Sequence, residues 1–121
     1  MRDFRNLQVW TQAHKLVLAL YRVTAGFPRR EIFGLTGQIR RSAASIAANI
    51  AEGCGRDTEA DFGHFLHMAM GSASEVEYHL LLAHDLNLLT DPVYKELEDE
   101  VIGLKRMLGA LIRRMKLKAE S

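Results

Sequence analysis

One cysteine, two prolines, one tryptophan and no apolar run longer than six residues set this 121-residue chain apart from several protein classes at once. A lone Cys54 cannot form an intramolecular disulfide or a cysteine-only metal site. The longest apolar run, Leu16 to Tyr21, falls far short of the ~20 residues that cross a bilayer. The start, MRDFRNLQVW, lacks the basic-then-apolar layout of a secretory signal, so the expectation is a cytoplasmic chain without membrane contact. The glycines at 34, 37, 53 and 55 do not fit GxxxxGK[ST], which removes a phosphate loop. Few β-branched residues and 7% aromatics disfavour sheets.

What is present is 48% hydrophobic residues, mostly Leu, Ala, Ile and Met, in one tract long enough for a single domain, 1–121. Periodicity predicts four helices at about 7–25, 36–52, 58–87 and 92–117. Asn6 would cap the first, with Trp10, Ala13, Val17, Leu20 and Tyr21 facing inward, and Gly26 would stop it. A one-turn connector, FPRREIFGLTGQ, leads to the second, which carries Ile39, Ala43, Ile46, Ala47 and Ile50 on one side and ends at Gly53 and Gly55. Asp57 or Thr58 caps the third, where Phe62, Leu66, Ala69, Ala73, Val76, Leu80 and Ala83 alternate steps of four and three. Asp91 and Pro92 open the fourth, with Val93, Leu97, Val101, Leu104, Leu108, Leu111 and Met115 inward and KLKAES fraying. Short connections and seams spaced near 3.5 predict an all-α, antiparallel up-and-down four-helix bundle.

The reverse of the second helix is unusual. At 100° per residue, Arg41, Ala44, Ser45, Ala48, Ala51 and Glu52 lie about 120–240° from Ile39, where water would normally meet alternating Lys and Glu. The third helix carries a second stripe of mixed polarity: Phe65, Met68, Ser72, Glu75, His79, Leu82 and Leu86. Two broad stripes on one helix suit a further copy of the chain better than one small core. Buried charge needs a partner, so Arg40 is expected to pair with Glu77 inside the bundle and Arg41 with Glu75 between subunits.

Charge is uneven although the net value is +1: residues 1–56 carry +6, residues 57–104 carry −10 and residues 105–121 carry +5. That pattern allows pairing within or between chains, or a basic surface for nucleic acid. Lys105, Arg106, Arg113, Arg114, Lys116 and Lys118 would gather at one end and side of the fourth helix. Repetition in an oligomer would let them engage several phosphates together. Their other role is to complement a helix C-terminus. No catalytic residue, metal or cofactor is expected. His64 and His67, with Asp61, lack the histidines and carboxylates that a di-iron bundle draws from other helices. The acids of ELEDE, 96–100, have no matching acidic pair, and Cys54 has no implied histidine.

The stretches LQVWTQAHKL, FPRREIFGLTGQIRRSAASIAANIAEGCGR and DFGHFLHMAMGSASEVEYHLLLA resemble the bacterial four-helix bundle family encoded in intervening sequences of 23S ribosomal RNA. That family is similar to the accessory variability determinants of diversity-generating retroelements. The resemblance covers roughly residues 4 to 115. Gln38, Arg40, Arg41, Ser45, Asn49, Glu52 and Gly53 match its central motif, and Gly71, Ser72, Ala73 and Glu77 its second. Ala47 departs from a common proline. The resemblance implies a homopentameric ring with no established enzymatic activity, and, for the retroelement relatives, binding to nucleic acid and a reverse transcriptase through a basic surface. The expected partners are therefore the chain itself and RNA or DNA, with a protein-interaction scaffold as the competing reading.

Overall fold

The computed structural model describes residues 2–121. Four helices follow in order: α1 (Gln8–Thr24), α2 (Leu35–Cys54), α3 (Glu59–Asp85) and α4 (Asp91–Glu120). Among the described residues there is no strand, and no helix is long and apolar enough to cross a membrane. Each helix packs against the next and α4 returns to α1, so the four surround one core in up-and-down order. One end gathers Arg2, Cys54, Glu59 and Met115; the other gathers Thr24 with Arg40 and His84 with Asp91.

The core stripes of α2 and α3 are those that the periodicity predicts. Ile39, Ala43, Ile46, Ala47 and Ile50 meet Phe62, Leu66, Ala69, Ala73, Val76, Leu80 and Ala83, all buried. On α4, Leu97, Val101, Leu104, Leu108, Leu111 and Met115 are buried, and Val93 packs at the margin. The face of α1 differs. Its buried residues are Val9, Ala13, Leu16, Leu20 and Thr24, a stripe turned by roughly 50° from the expected one. Trp10 lies at the boundary between Phe4 and the stacked ring of His14, and Tyr21 is exposed. Amphipathic rings can rest at a core margin, so they mark the inward direction poorly.

The helix ends bring further corrections. Asn6 does not cap α1; it closes a 3₁₀ turn, Phe4–Asn6, which Asp3 caps by accepting from the Arg5 amide at 3.0 Å. Thr58 does cap α3, accepting from the Asp61 amide. Thr90 precedes α4, with Asp91 already its first residue. The α3–α4 turn depends on Asn87, whose φ of 63° lets the Leu88 amide reach the Ala83 carbonyl at 2.9 Å. The KLKAES tail is helical to Glu120, with Met115 buried beneath it and Lys118 Nζ 3.8 Å from Glu59.

Gly53 does not stop α2, which continues to Cys54. A Cβ on Gly53 would lie 2.8 Å from Phe65 Cβ and 3.0 Å from Phe62 Cδ1, so its bare Cα is what lets α3 begin close against α2. Phe65 Cβ is attached to the backbone and cannot swing aside. Gly53→Ala is therefore expected to lower stability by about 1–3 kcal/mol in urea unfolding. Gly71→Ala, with nothing within 4 Å of the added methyl, should raise it by about 0.5–1 kcal/mol. Equal effects at the two positions would contradict the packing.

Candidate nucleic-acid and self-association surfaces

The α4 bases arise from the helix's C-terminal half, where every third or fourth position is core and the rest are free to carry charge. Lys105 donates to Glu77 Oε1 at 2.8 Å across the α3–α4 seam. Arg106 and Arg113 line, with Met70 and Gly109, an open groove of about 530 Å³ beside that pair. Lys116 lines the next groove along the same seam, with Glu59, Gly63, His64 and His67. Arg114 falls on the opposite flank, beside Asn6, Gln8 and Met107 on the α1 side, and Lys118 faces Glu59. The six bases thus do not share one side. Arg106, Arg113 and Lys116 stand along the α3–α4 flank, and among the described residues none has a carboxylate within 4.0 Å.

Arg40 does not pair with Glu77. Its Nε donates to Thr24 Oγ1 at 2.9 Å and Nη2 to the Tyr21 carbonyl at 3.2 Å, with the guanidinium 4.7 Å from the Tyr21 ring centre. Thr24 donates in turn to the Leu20 carbonyl at 2.7 Å. A cation at the C-terminal end of α1 also complements the helix dipole. Arg40 is thereby a clamp between α1 and α2, and this clamp explains why Thr24 is buried.

The outward side of α2 and the second stripe of α3 adjoin one another. Ser45 and Ser72 meet at 2.9 Å, and Asn49 Nδ2 donates to the Ser45 carbonyl at 2.9 Å and to its hydroxyl at 3.1 Å. These three are tied within the subunit. Glu52 pairs with Arg56 at 3.4 Å, and Arg56 covers Phe65. Arg41 is exposed, folded over Gly37, and Glu75 is exposed, 3.7 Å from His79 Nε2. Ala44 is half-buried and Ala48 exposed, as are Met68 and Leu86. Sequence reasoning missed that His79 is buried beside Ser42, whose hydroxyl donates to the Gln38 carbonyl at 2.8 Å and lies 3.4 Å from His79 Nδ1.

Sequence reasoning also gave no role to Arg2. Its Nη2 contacts Glu59 at 2.5 Å, its guanidinium lies over Phe62, and its amide donates to the Cys54 carbonyl at 2.9 Å. The hydrogen bond from the Arg2 guanidinium holds the Glu59 carboxyl below its ordinary range. Burial pushes the Cys54 thiol up, which disfavours a reactive thiolate. No three His, Cys, Asp or Glu side chains converge as metal ligands among the described residues. Within ELEDE, Glu98 accepts from Tyr94, whose hydroxyl is pushed up to about 12, and Asp99 accepts from Lys95 at 3.0 Å.

The family model for the 23S rRNA-intervening sequence protein matches residues 5–110. The chain belongs to this family. A crystal structure of a protein of unknown function from the S23 ribosomal protein family of Bacteroides thetaiotaomicron VPI-5482 is similar, with 26% identity and a TM-score of 0.77. The match covers 86% of this chain and 97% of that one. No curated protein matches the sequence. Membership of the 23S rRNA-intervening sequence family thus goes with the four-helix fold and carries no catalytic assignment.

At the end of the bundle where α3 turns into α4, His84 Nε2 meets Asp91 Oδ1 at 2.6 Å, Nδ1 lies 3.5 Å from Asp85, and the ring stacks on Tyr94. The hydrogen bond to Asp91 raises the His84 pKa. A raised folded-state pKa contributes stability that is full below the unfolded value of about 6.5 and is lost as pH rises through the folded one. The wild type should therefore lose more of its urea midpoint between about pH 5.5 and pH 8.5 than His84→Asn does. Parallel pH profiles would exclude the contribution.

Proposed function

We propose that the chain is a non-catalytic, self-associating four-helix bundle that holds RNA or DNA by its phosphate backbone along the α3–α4 flank. The observation that carries this reading is the row of Arg106, Arg113 and Lys116, without an ion-pair partner among the described residues and spread over about 15 Å of helix axis on one flank. Such a row contacts phosphates and no base edges, so binding would be sensitive to salt and tolerant of sequence. One copy offers few cations. Repetition around a homo-oligomer, a pentamer on the family resemblance, would multiply the row and let weak contacts act together.

Self-association is supported by the outward α2–α3 surface. Ala48, Met68 and Leu86 are exposed there, beside half-buried Ala44, Phe65 and Leu82 and the oppositely charged Arg41 and Glu75. Small side chains allow close approach, and the mixed polarity is that of an interface. Arg41 of one subunit would pair with Glu75 of its neighbour. The second reading, a protein-interaction scaffold without nucleic-acid affinity, is favoured by the engagement of Lys105 and Lys118 with Glu77 and Glu59, which reduces the free positive charge.

Two experiments separate these readings. Affinity for generic RNA and duplex DNA should fall on the order of tens of fold between about 50 and 200 mM salt. Arg106→Glu with Arg113→Glu should weaken it further, while Arg114→Glu, on the other flank, should weaken it least. No binding at the lower salt establishes the scaffold reading in its place. Light scattering should find an oligomer that Ala48→Arg dissociates; an unchanged mass would remove the α2–α3 surface from the interface.

A further inference from the structure

Phe33 is 94% exposed and its neighbour Ile32 53%. They sit at the tip of the connector before α2, and this tip is held firmly. The Glu31 carboxylate accepts from the Leu35 amide at 3.2 Å, and the amides of Glu31, Ile32 and Gly34 donate to Pro28, Arg29 and Glu31 carbonyls. A fixed turn thus projects an aromatic ring into water. Arg29 and Arg30 flank it, exposed and without a carboxylate within 4.0 Å among the described residues. A rigid aromatic anchor beside arginines is the composition of an interface centre.

A receiving surface of opposite charge lies elsewhere on the same chain. The α1–α4 seam leaves a groove of about 280 Å³ whose lining includes Leu16, Leu104, Met107 and Gly103, with Asp99 and Glu100 at its acidic rim. Asp99 shares Lys95, but Glu100 has no ion-pair partner among the described residues. Partial desolvation, with Glu96 nearby, pushes the carboxyl of the otherwise exposed Glu100 above its usual range against the opposing charge of Lys15, and a further cation would act in the same direction as Lys15. Gly103 lies in the lining of this groove, and a Cβ there would meet nothing within 4 Å, so its bare Cα leaves room over the helix for an incoming side chain.

We propose that the Ile32–Phe33 tip of one copy seats in the α1–α4 groove of the next, over Gly103, with Arg29 and Arg30 facing Asp99 and Glu100. Knob and groove are different surfaces of one chain, so the contact is head-to-tail and leads to a ring or a filament. It rests on the self-association proposed above and adds a contact separate from the α2–α3 surface.

The test mixes an Ile32→Cys chain with a Gln12→Cys chain under a short bismaleimide, which leaves the Phe33 ring and the bare Gly103 in place; buried Cys54 is common to both. A covalent dimer that forms in the mixture and in neither chain alone is the expected result. In light scattering, Phe33→Ala and the Arg29→Glu, Arg30→Glu pair should each raise the dissociation constant on the order of tenfold or more. Asp99→Arg with Glu100→Arg should restore assembly to the Arg29→Glu, Arg30→Glu chain. If Ala48→Arg dissociates the oligomer while Phe33→Ala leaves its mass unchanged, the knob contact is overturned and self-association stands. A wild-type monomer overturns both.

Discussion

Close contact between α2 and α3 is the constraint on which the rest of the bundle depends. The α2 stripe mixes isoleucine with alanine, and Gly53 removes even a methyl group where Phe62 and Phe65 cross it. Where side chains are this small, helix axes approach and dispersion contacts accumulate over the whole seam. The Ser45–Ser72 hydrogen bond then fixes the relative height of the two helices. Once α2 and α3 are placed, α4 lies against α3 and α1 against α2, and of the four seams the one between α1 and α4 is the most thinly packed.

Charge within the subunit follows from that frame. Arg40 ties α1 to α2 through Thr24 and Tyr21, Lys105 ties α4 to α3 through Glu77, and Arg2 ties the N-terminal strap to α3 through Glu59. Each is half-exposed, so each contributes orientation more than net stability. Their structural consequence is selection: the cations used inside the bundle are removed from the set available to a ligand. What remains on the α3–α4 flank is the short row of Arg106, Arg113 and Lys116.

The faces of α2, α3 and α4 were legible because local periodicity alone sets which side of a helix is apolar. The face of α1 was less so, since Trp10 and Tyr21 count as apolar in a pattern yet lie at the margin, while polar Thr24 is buried under Arg40. Gly53 reads as a helix stop because glycine commonly is one, and only the phenyl rings above it reveal its packing role. The separation of Arg113 from Arg114 was available in advance: adjacent residues lie 100° apart and cannot share a flank. Arg2 carried no signal of its role, because a single residue outside any periodic segment has no pattern.

By itself the sequence determined the helical class, the number and order of helices, and the inward stripes of three of them, since each depends on interactions within one or two turns. Only the tertiary structure decided which charges meet. Arg40 took Thr24 instead of Glu77, and Glu77 took Lys105, because pairing between distant segments depends on helix rotation and height to within a few ångströms. A 3.6-residue period leaves both of those quantities open; packing of the side chains between the helices sets them.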